Sequence, residues 1–470
     1  MSTEKLPELN LGHLRVLLLV AQLGSITRAA AQLFRAQSAV TRSIQEVERV
    51  VGEVLLERHP AGVSLTPVGD VVVERTRRVF IELETLAQWC AGRRQTRASA
   101  AAVPASLLNT RRLMIVSALA RSRHMPSAAL LLGVTQPAVS SAIRILESDT
   151  GFPIFTRATR GVRLTEDGET FVLHVRRALN ELRHVRDDIA AAQGHIRGHV
   201  AVGALPLSRT TLLPKAIALV HQQYPGVQIA TDESAYESLV ASLLAGDIDL
   251  ILGALRPDVD AIGLQSEYLI SVNLAVLVRS GHPLMQRQKQ IQSAALKHPQ
   301  SAAPIAAGNP PLTTGSDSAP DAAETATPNA ALNAALNTAP NAAPNAAPNT
   351  AHSPLSLRDL TSAQWILPRS NAPARANLET LFIRKKLKPP VPVVETADLA
   401  VIRGLLLATD MIAAIPAEQL QYECDNGTIA VLDIVLSDAT RQIGITTRAG
   451  SEPSAASRAF IDALRSLVAT

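Results

Sequence analysis

The sequence predicts two all-α winged helix-turn-helix domains in tandem, each trailed by a long linker helix, followed by an α/β region. Three observations carry that prediction. Displacing the sequence by 99 positions aligns residues 27–69 with residues 126–168 without a gap, and 15 of the 43 pairs are identical. Each aligned block is followed by an apolar stripe at helical spacing. From Val200 onward the pattern becomes short apolar runs alternating with helical segments, as in a sheet with crossover helices.

The identical pairs include Ala29/Ala128, Ala30/Ala129, Gln37/Gln136, Val40/Val139, Ile44/Ile143, Glu48/Glu147, Gly62/Gly161, Thr66/Thr165 and Gly69/Gly168. Two copies are too few to stack as a solenoid, so the repeat is a duplicated small domain. In each copy a first helix is set by apolar residues at helical spacing (Leu14, Leu17, Leu18, Ala21), and a short second helix carries the Ala-Ala pair. A third helix runs from about Ser38 to Val51 and stops at Gly52, a C-cap residue. Leu55 and Leu56, a turn at residues 60–62, then Val63 and Leu65 form the wing.

The boundaries that follow are 8–67 for copy one, 68–92 for its linker helix, 93–105 for a flexible joint, and 106–165 for copy two. A second linker or dimerisation helix covers 166–195. The stripes are Val73, Val79, Phe80, Leu83 and Leu86 on the first and Phe171, Leu179, Leu182, Val185 and Ile189 on the second. A stripe on a projecting helix needs a partner. A coiled coil with a second chain is the simplest, and packing onto its own domain is the alternative. Residues 198–470 form the α/β part, with strands at His199–Gly203, Val227–Thr231, Ile248–Gly253 and Asn273–Val278. Residues 299–353 are rich in Ala, Asn, Pro, Thr and Ser. Their few large apolar side chains cannot offset the ordering entropy, so they read as a disordered insert.

Composition narrows the function. The 470 residues suffice for several domains, and with 3% aromatics the cores must be aliphatic. The net charge of +4 hides an asymmetry. Residues 1–197 hold 26 Lys and Arg against 18 Asp and Glu, and the rest hold 19 against 23. A basic front half suits a polyanion such as double-stranded DNA. Cys90 and Cys424 are far apart and lack metal-ligand neighbours, which disfavours zinc and disulfides and fits a reducing, cytoplasmic setting. Residues 1–10 do not read as a signal peptide, and no apolar run approaches a membrane span, so no membrane partner is expected. There is no Gly-rich phosphate loop, nucleophile elbow or metal cluster, which argues against an enzyme or a cofactor.

The third helix of each copy has two faces. Val40, Ile44 and Val47, like Val139, Ile143 and Leu146, face the domain core. Gln37, Ser38, Thr41 and Arg42 in copy one, and Gln136, Pro137, Ser140 and Ser141 in copy two, face outward near the helix start, where base edges in a major groove are within reach. Arg58 in the first wing and Arg157, Arg160 and Arg163 in the second suit phosphates, or are solvated surface charges.

These residues carry a resemblance. Gly24 to Ala30, Gln37 to Glu48, Leu56-Glu57-Arg58 and Leu65 to Gly69 resemble the DNA-binding unit of LysR-type transcriptional regulators. So do Thr135 to Ser140, Ile143 to Glu147, Phe155-Thr156-Arg157 and Gly161 to Gly168. Val200 to Ala204, Leu243 to Leu250, Trp365 to Pro368 and Met411 to Pro416 resemble that family's effector region. The resemblance implies a two-lobe, periplasmic-binding-protein-like effector domain with a small molecule, such as an organic acid, held between the lobes. It also implies a homodimer or homotetramer, and RNA polymerase as a partner if the protein is an activator. Ser208, Thr210, Arg256 and Thr396 are the candidate effector contacts, and each Ser or Thr reads equally well as a helix cap.

The chain departs from the family pattern in having two DNA-binding units. Copy one has Ala36 where a Ser or Thr cap is wanted, and copy two has Arg123-His124 in place of Gly24-Ser25. Both units binding DNA is the leading expectation. The alternative is that one copy serves as a dimerisation or accessory module. A solute-binding protein would share the lobes but has no use for the tandem helical domains.

Overall fold

A computed structural model describes residues 9–60, 62–93, 103–159, 161–256, 262–297, 355–370, 372–434, 436 and 440–469. Arg160, the insert at 299–353 and most of the expected joint lie outside the described residues. The chain divides into two units. One comprises residues 1–271 with 442–470, and the other residues 272–441.

In the first unit, copy one is built from α1 (Leu11–Leu23), α2 (Ile26–Gln32), α3 (Gln37–Val51), and the strands β1 (Leu56–His59) and β2 (Gly62–Leu65). The linker helix α4 (Pro67–Arg93) follows. Copy two repeats this as α5 (Thr110–Ser122), α6 (Met125–Leu131), α7 (Gln136–Thr150), β3 (Phe155–Ala158), β4 (Gly161–Leu164) and α8 (Glu166–Ala192). The wings are antiparallel pairs in equivalent register, Leu56 facing Leu65 and Phe155 facing Leu164.

Local chemistry explains the boundaries. Asn10 Oδ1 accepts the N–H of Gly12 at 2.8 Å, and Asn109 Oδ1 accepts that of Arg112 at 2.9 Å, capping the first helix of each copy. Gly52 and Gly151 end the third helices in the left-handed region, at φ +82° and +80°. Ala36 makes no side-chain cap, whereas Thr135 Oγ1 accepts from Ala138 N–H at 3.4 Å. Most of the shared identities are structural. Glu48 and Glu147 accept the N–H of Leu55 and Ile154 at 2.9 and 2.8 Å, and Thr66 and Thr165 cap the linker helices through Gly69 and Gly168.

The turn between the first two helices differs. Gly24 adopts φ +61°, and its counterpart Arg123 is forced to φ +53°. A side chain in the left-handed region is strained. Arg123→Gly is therefore expected to stabilise the first unit by about 0.5–1 kcal/mol, net of the unfolded-state entropy that glycine adds. Thermal melting checks this, and an unchanged or lower midpoint would show that the strain is absent.

The stripes on α4 and α8 do not wait for a second chain. They cover each other. Val72, Val79, Leu83 and Leu86 of α4 share one continuous core with Phe171, Val175, Leu182 and Val185 of α8 and with both helical domains. The helices run antiparallel, since Arg75 meets Glu181 and Asp188 while Arg93 meets Asp167. The cover that was expected from a second chain is met within this one, because duplication supplies a second linker helix covalently.

The same unit contains a five-stranded sheet. Its order is β6 (Val227–Asp232), β5 (Gly198–Ala204), β7 (Leu250–Ala254), β14 (Thr440–Arg448), β8 (Leu264–Asn273). Strands β5, β6 and β7 are parallel, with α9 (Leu212–Gln223) and α10 (Tyr236–Ala245) as crossovers. Periodicity does not reveal β8, because it is an edge strand with mostly exposed side chains. The strand expected at Asn273–Val278 begins two residues later, as β9 (Ala275–Arg279).

The second unit has its own sheet, ordered β11 (Pro392–Glu395), β10 (Gln364–Leu367), β12 (Met411–Ile415), β9, β13 (Ile429–Leu432). Trp365, wholly buried, packs edge-on against Phe382 and donates its indole N–H to Leu360 O at 3.1 Å. Among the described residues, no single helix is long and apolar enough to cross a membrane.

Candidate nucleic-acid interface

The helices α3 and α7 each bury one face and expose the other. Val40, Ser43, Ile44 and Val47 of α3, and Val139, Ala142, Ile143 and Leu146 of α7, are buried. Gln37, Ser38, Arg42, Gln136, Pro137 and Ser141 are exposed, and Thr41 and Ser140 are half-buried. Gln37 Nε2 donates to Thr27 Oγ1 at 3.2 Å, which orients the glutamine from α2. In the wings, Arg58, Arg157 and Arg163 are exposed.

Each wing is fastened to the turn between the first two helices. Val63 N–H donates to Gly24 O at 3.1 Å, and Val162 N–H donates to Arg123 O at 2.9 Å. Only glycine fits beside those carbonyls. A Cβ on Gly62 would lie 2.3 Å from Gly24 O, and one on Gly161 would lie 2.1 Å from Arg123 O.

Sequence reasoning missed Arg111 and Arg112. They sit at the start of α5 and line the groove that also holds Thr135 and Ser141. Copy one has Gly12 and His13 at the equivalent places. Copy two therefore draws cationic side chains from α5 where its recognition helix is poorer in arginine. The adjacent arginines at a helix start were the available signal.

The two copies are held together by a buried charge cluster that spacing alone does not reveal. Arg75, 1% exposed, donates from Nε to Asp188 Oδ2 at 2.5 Å and from Nη1 to Glu181 Oε2 at 2.7 Å. It also reaches the carbonyls of Glu452 and Pro453 at 3.1 and 3.2 Å. Burial pulls the Arg75 guanidinium down, but Asp188 and Glu181 outweigh it and hold it above the ordinary arginine value. His174 Nδ1 lies 2.8 Å from Glu82 Oε2. Burial pushes the Glu82 carboxyl up, yet His174, Arg177 and Arg448 prevail and keep it below the usual carboxylate range.

The effector candidates fare unequally. Ser208 is wholly buried, and its hydroxyl, with one proton to donate, lies 2.9 Å from the carbonyl oxygens of both Leu205 and Leu252. It fastens a 3-10 turn to β7 and turns inward, contrary to the expectation of ligand contact. Thr210 is exposed. Arg256 is half-buried, with its guanidinium carbon 4.6 Å from the centre of the Tyr236 ring and a buried Nε that has no partner among the described residues. In the second unit, Thr396 Oγ1 accepts from Asp398 N–H at 3.1 Å, and Asp398 itself caps the following helix.

Comparison with known proteins adds the following. Residues 11–70 and again 110–169 match the family described as bacterial regulatory helix-turn-helix protein, lysR family. Residues 193–303 and 341–469 match the LysR substrate binding domain. The chain is similar to the HTH-type transcriptional regulator GalR of Pseudomonas putida, with 37% identity over 459 residues, 98% of this chain and 97% of that one. It is also similar to the HTH-type transcriptional regulator PcaQ of Agrobacterium fabrum, with 34% identity over 37% of this chain and 56% of that protein. Among solved structures, full-length OxyR from Pseudomonas aeruginosa aligns with a TM-score of 0.51 at 20% identity, covering 76% of this chain and 97% of that one.

Proposed function

Because the chain belongs to the LysR family of transcription regulators, we propose that it binds operator DNA through both of its winged domains, under the control of a small-molecule effector sensed by its α/β lobes. It works in the cytoplasm as a regulator rather than an enzyme. The observation that supports DNA reading by both copies is the division of faces on α3 and α7: the backs are buried and the fronts, Gln37 to Arg42 and Gln136 to Ser141, are open. The wings carry Arg58, Arg157 and Arg163 outward toward phosphates.

A gel-shift assay with the fragment upstream of its own gene tests this reading. Wild-type protein is expected to retain the fragment with a steep salt dependence, and Arg157→Ala with Arg163→Ala is expected to lower the slope of log K against log salt by about 0.9 per contact. A footprint left intact by Gln37→Ala and Arg42→Ala together would favour the second reading, in which copy one is an accessory module. The missing cap at Ala36 is the observation on that side.

An organic acid suits the effector role, with Arg256 as the leading contact. Its buried Nε, without a partner among the described residues, can serve a carboxylate, and Thr210 and Thr396 are secondary candidates. Higher assembly into a homodimer or homotetramer, and contact with RNA polymerase if the protein activates, complete the proposal.

A further inference from the structure

The contacts between the two copies obey an internal two-fold relation. Positions 75 and 174 are equivalent under the 99-residue repeat, and so are 82 and 181. Arg75 of copy one meets Glu181 of copy two, and His174 of copy two meets Glu82 of copy one, so each pair is the image of the other. A second set behaves similarly. Trp89, late in α4, packs edge-on at 5.4 Å against Phe152, and Gln193, just past α8, donates to Glu53 at 2.6 Å. Positions 53 and 152 are again equivalent. Thus the end of each linker helix reaches the same turn of the other copy, across an antiparallel helix pair with one shared core.

Duplex DNA has local two-fold axes perpendicular to its length, and a two-fold reader sets its own axis on one of them. Resting on the reading that both copies bind DNA, we infer that a single chain occupies a single operator, α3 and α7 reading its two halves. The halves are unlike, and the chain lies on the site in one orientation only. The recognition faces differ where it matters. Ser38 corresponds to Pro137, Thr41 to Ser140, Arg42 to Ser141 and Gln45 to Arg144. Arginine is the side chain best suited to guanine. Copy one presents it at Arg42, and copy two three residues further along, at Arg144, which is exposed. The preferred guanine therefore stands at a different offset from the axis in each half.

Selection of bound duplexes from a random pool by the purified full-length chain tests this. The expected site is non-palindromic. Arg42→Ala relaxes base preference in one half only, and Ser141→Ala with Arg144→Ala relaxes it in the other half only. Replacing either half by the inverted copy of its neighbour weakens binding roughly 10–100-fold, and sedimentation with excess short duplex carrying one site shows one duplex bound per chain. All of these substitutions are at solvent-facing positions, and melting curves matching wild type show that the fold is kept. A palindromic site, a variant that relaxes both halves alike, or two chains per short duplex overturns the inference while leaving DNA binding intact. Retention of no duplex by the wild type removes the DNA-reading premise, and the inference with it.

Discussion

Arg75→Met is expected to destabilise the first unit by about 3–5 kcal/mol, the typical consequence of stripping one partner from a buried ion cluster. Methionine keeps most of the volume but leaves Asp188 without the cation it pairs with and Glu181 with Arg448 alone, at 3.6 Å. Both carboxylates are nearly inaccessible, and Arg75 is the group that reaches both. Adding Glu181→Gln and Asp188→Asn should return most of the loss, because no carboxylate of the cluster is then left without a cation, Arg448 keeps Glu82 at 3.4 Å, and asparagine retains an oxygen for the Ala455 N–H that Asp188 accepts at 3.2 Å. Urea unfolding of wild type, the single variant and the triple variant measures both steps. If Arg75→Met were neutral, or if neutralising the carboxylates brought no recovery, the cluster would not be what holds the helices together.

The second large effect concerns the wing. Gly161→Ala places a Cβ 2.1 Å from a backbone carbonyl that cannot swing aside, at a φ of +107°. The hairpin must lift from Arg123 and lose the bond from Val162 N–H, carrying with it Arg157 and Arg163, the residues proposed to meet phosphates. DNA affinity is expected to fall about 10–100-fold, with the melting of the α/β lobes unchanged. Gly62→Ala should do the same to the first wing, through Gly24 O. Affinity equal to wild type in both variants would mean that the wings do not touch DNA.

Much of this molecule was legible in its sequence. The repeat located both helical domains, and caps and glycines gave helix ends to within a residue or two. The polar fronts of α3 and α7 followed from periodicity alone, since burial of Val40 and Ile44 fixes which way Gln37 and Arg42 point. The partner of the stripes was not legible. Periodicity shows that Leu83 and Val185 want covering, not what covers them, and Arg75 is separated from Glu181 by 106 residues. Ser208 misled for a related reason. A serine ahead of a helix looks like an outward cap, but here a 3-10 turn rotates it toward β7. The edge strand β8 escaped because a strand exposed over most of its length has no apolar run to betray it.

In a regulator assembled from two separate chains, the fraction with both reading helices in place falls on dilution, and occupancy of the promoter rises with more than the first power of protein concentration. Here α4 and α8 are tethered in one polypeptide, so the second helix is present at the high effective concentration that a short linkage confers. If both copies read DNA as proposed, the pairing of α3 with α7 in one chain does not weaken when a cell holds only a few copies of it.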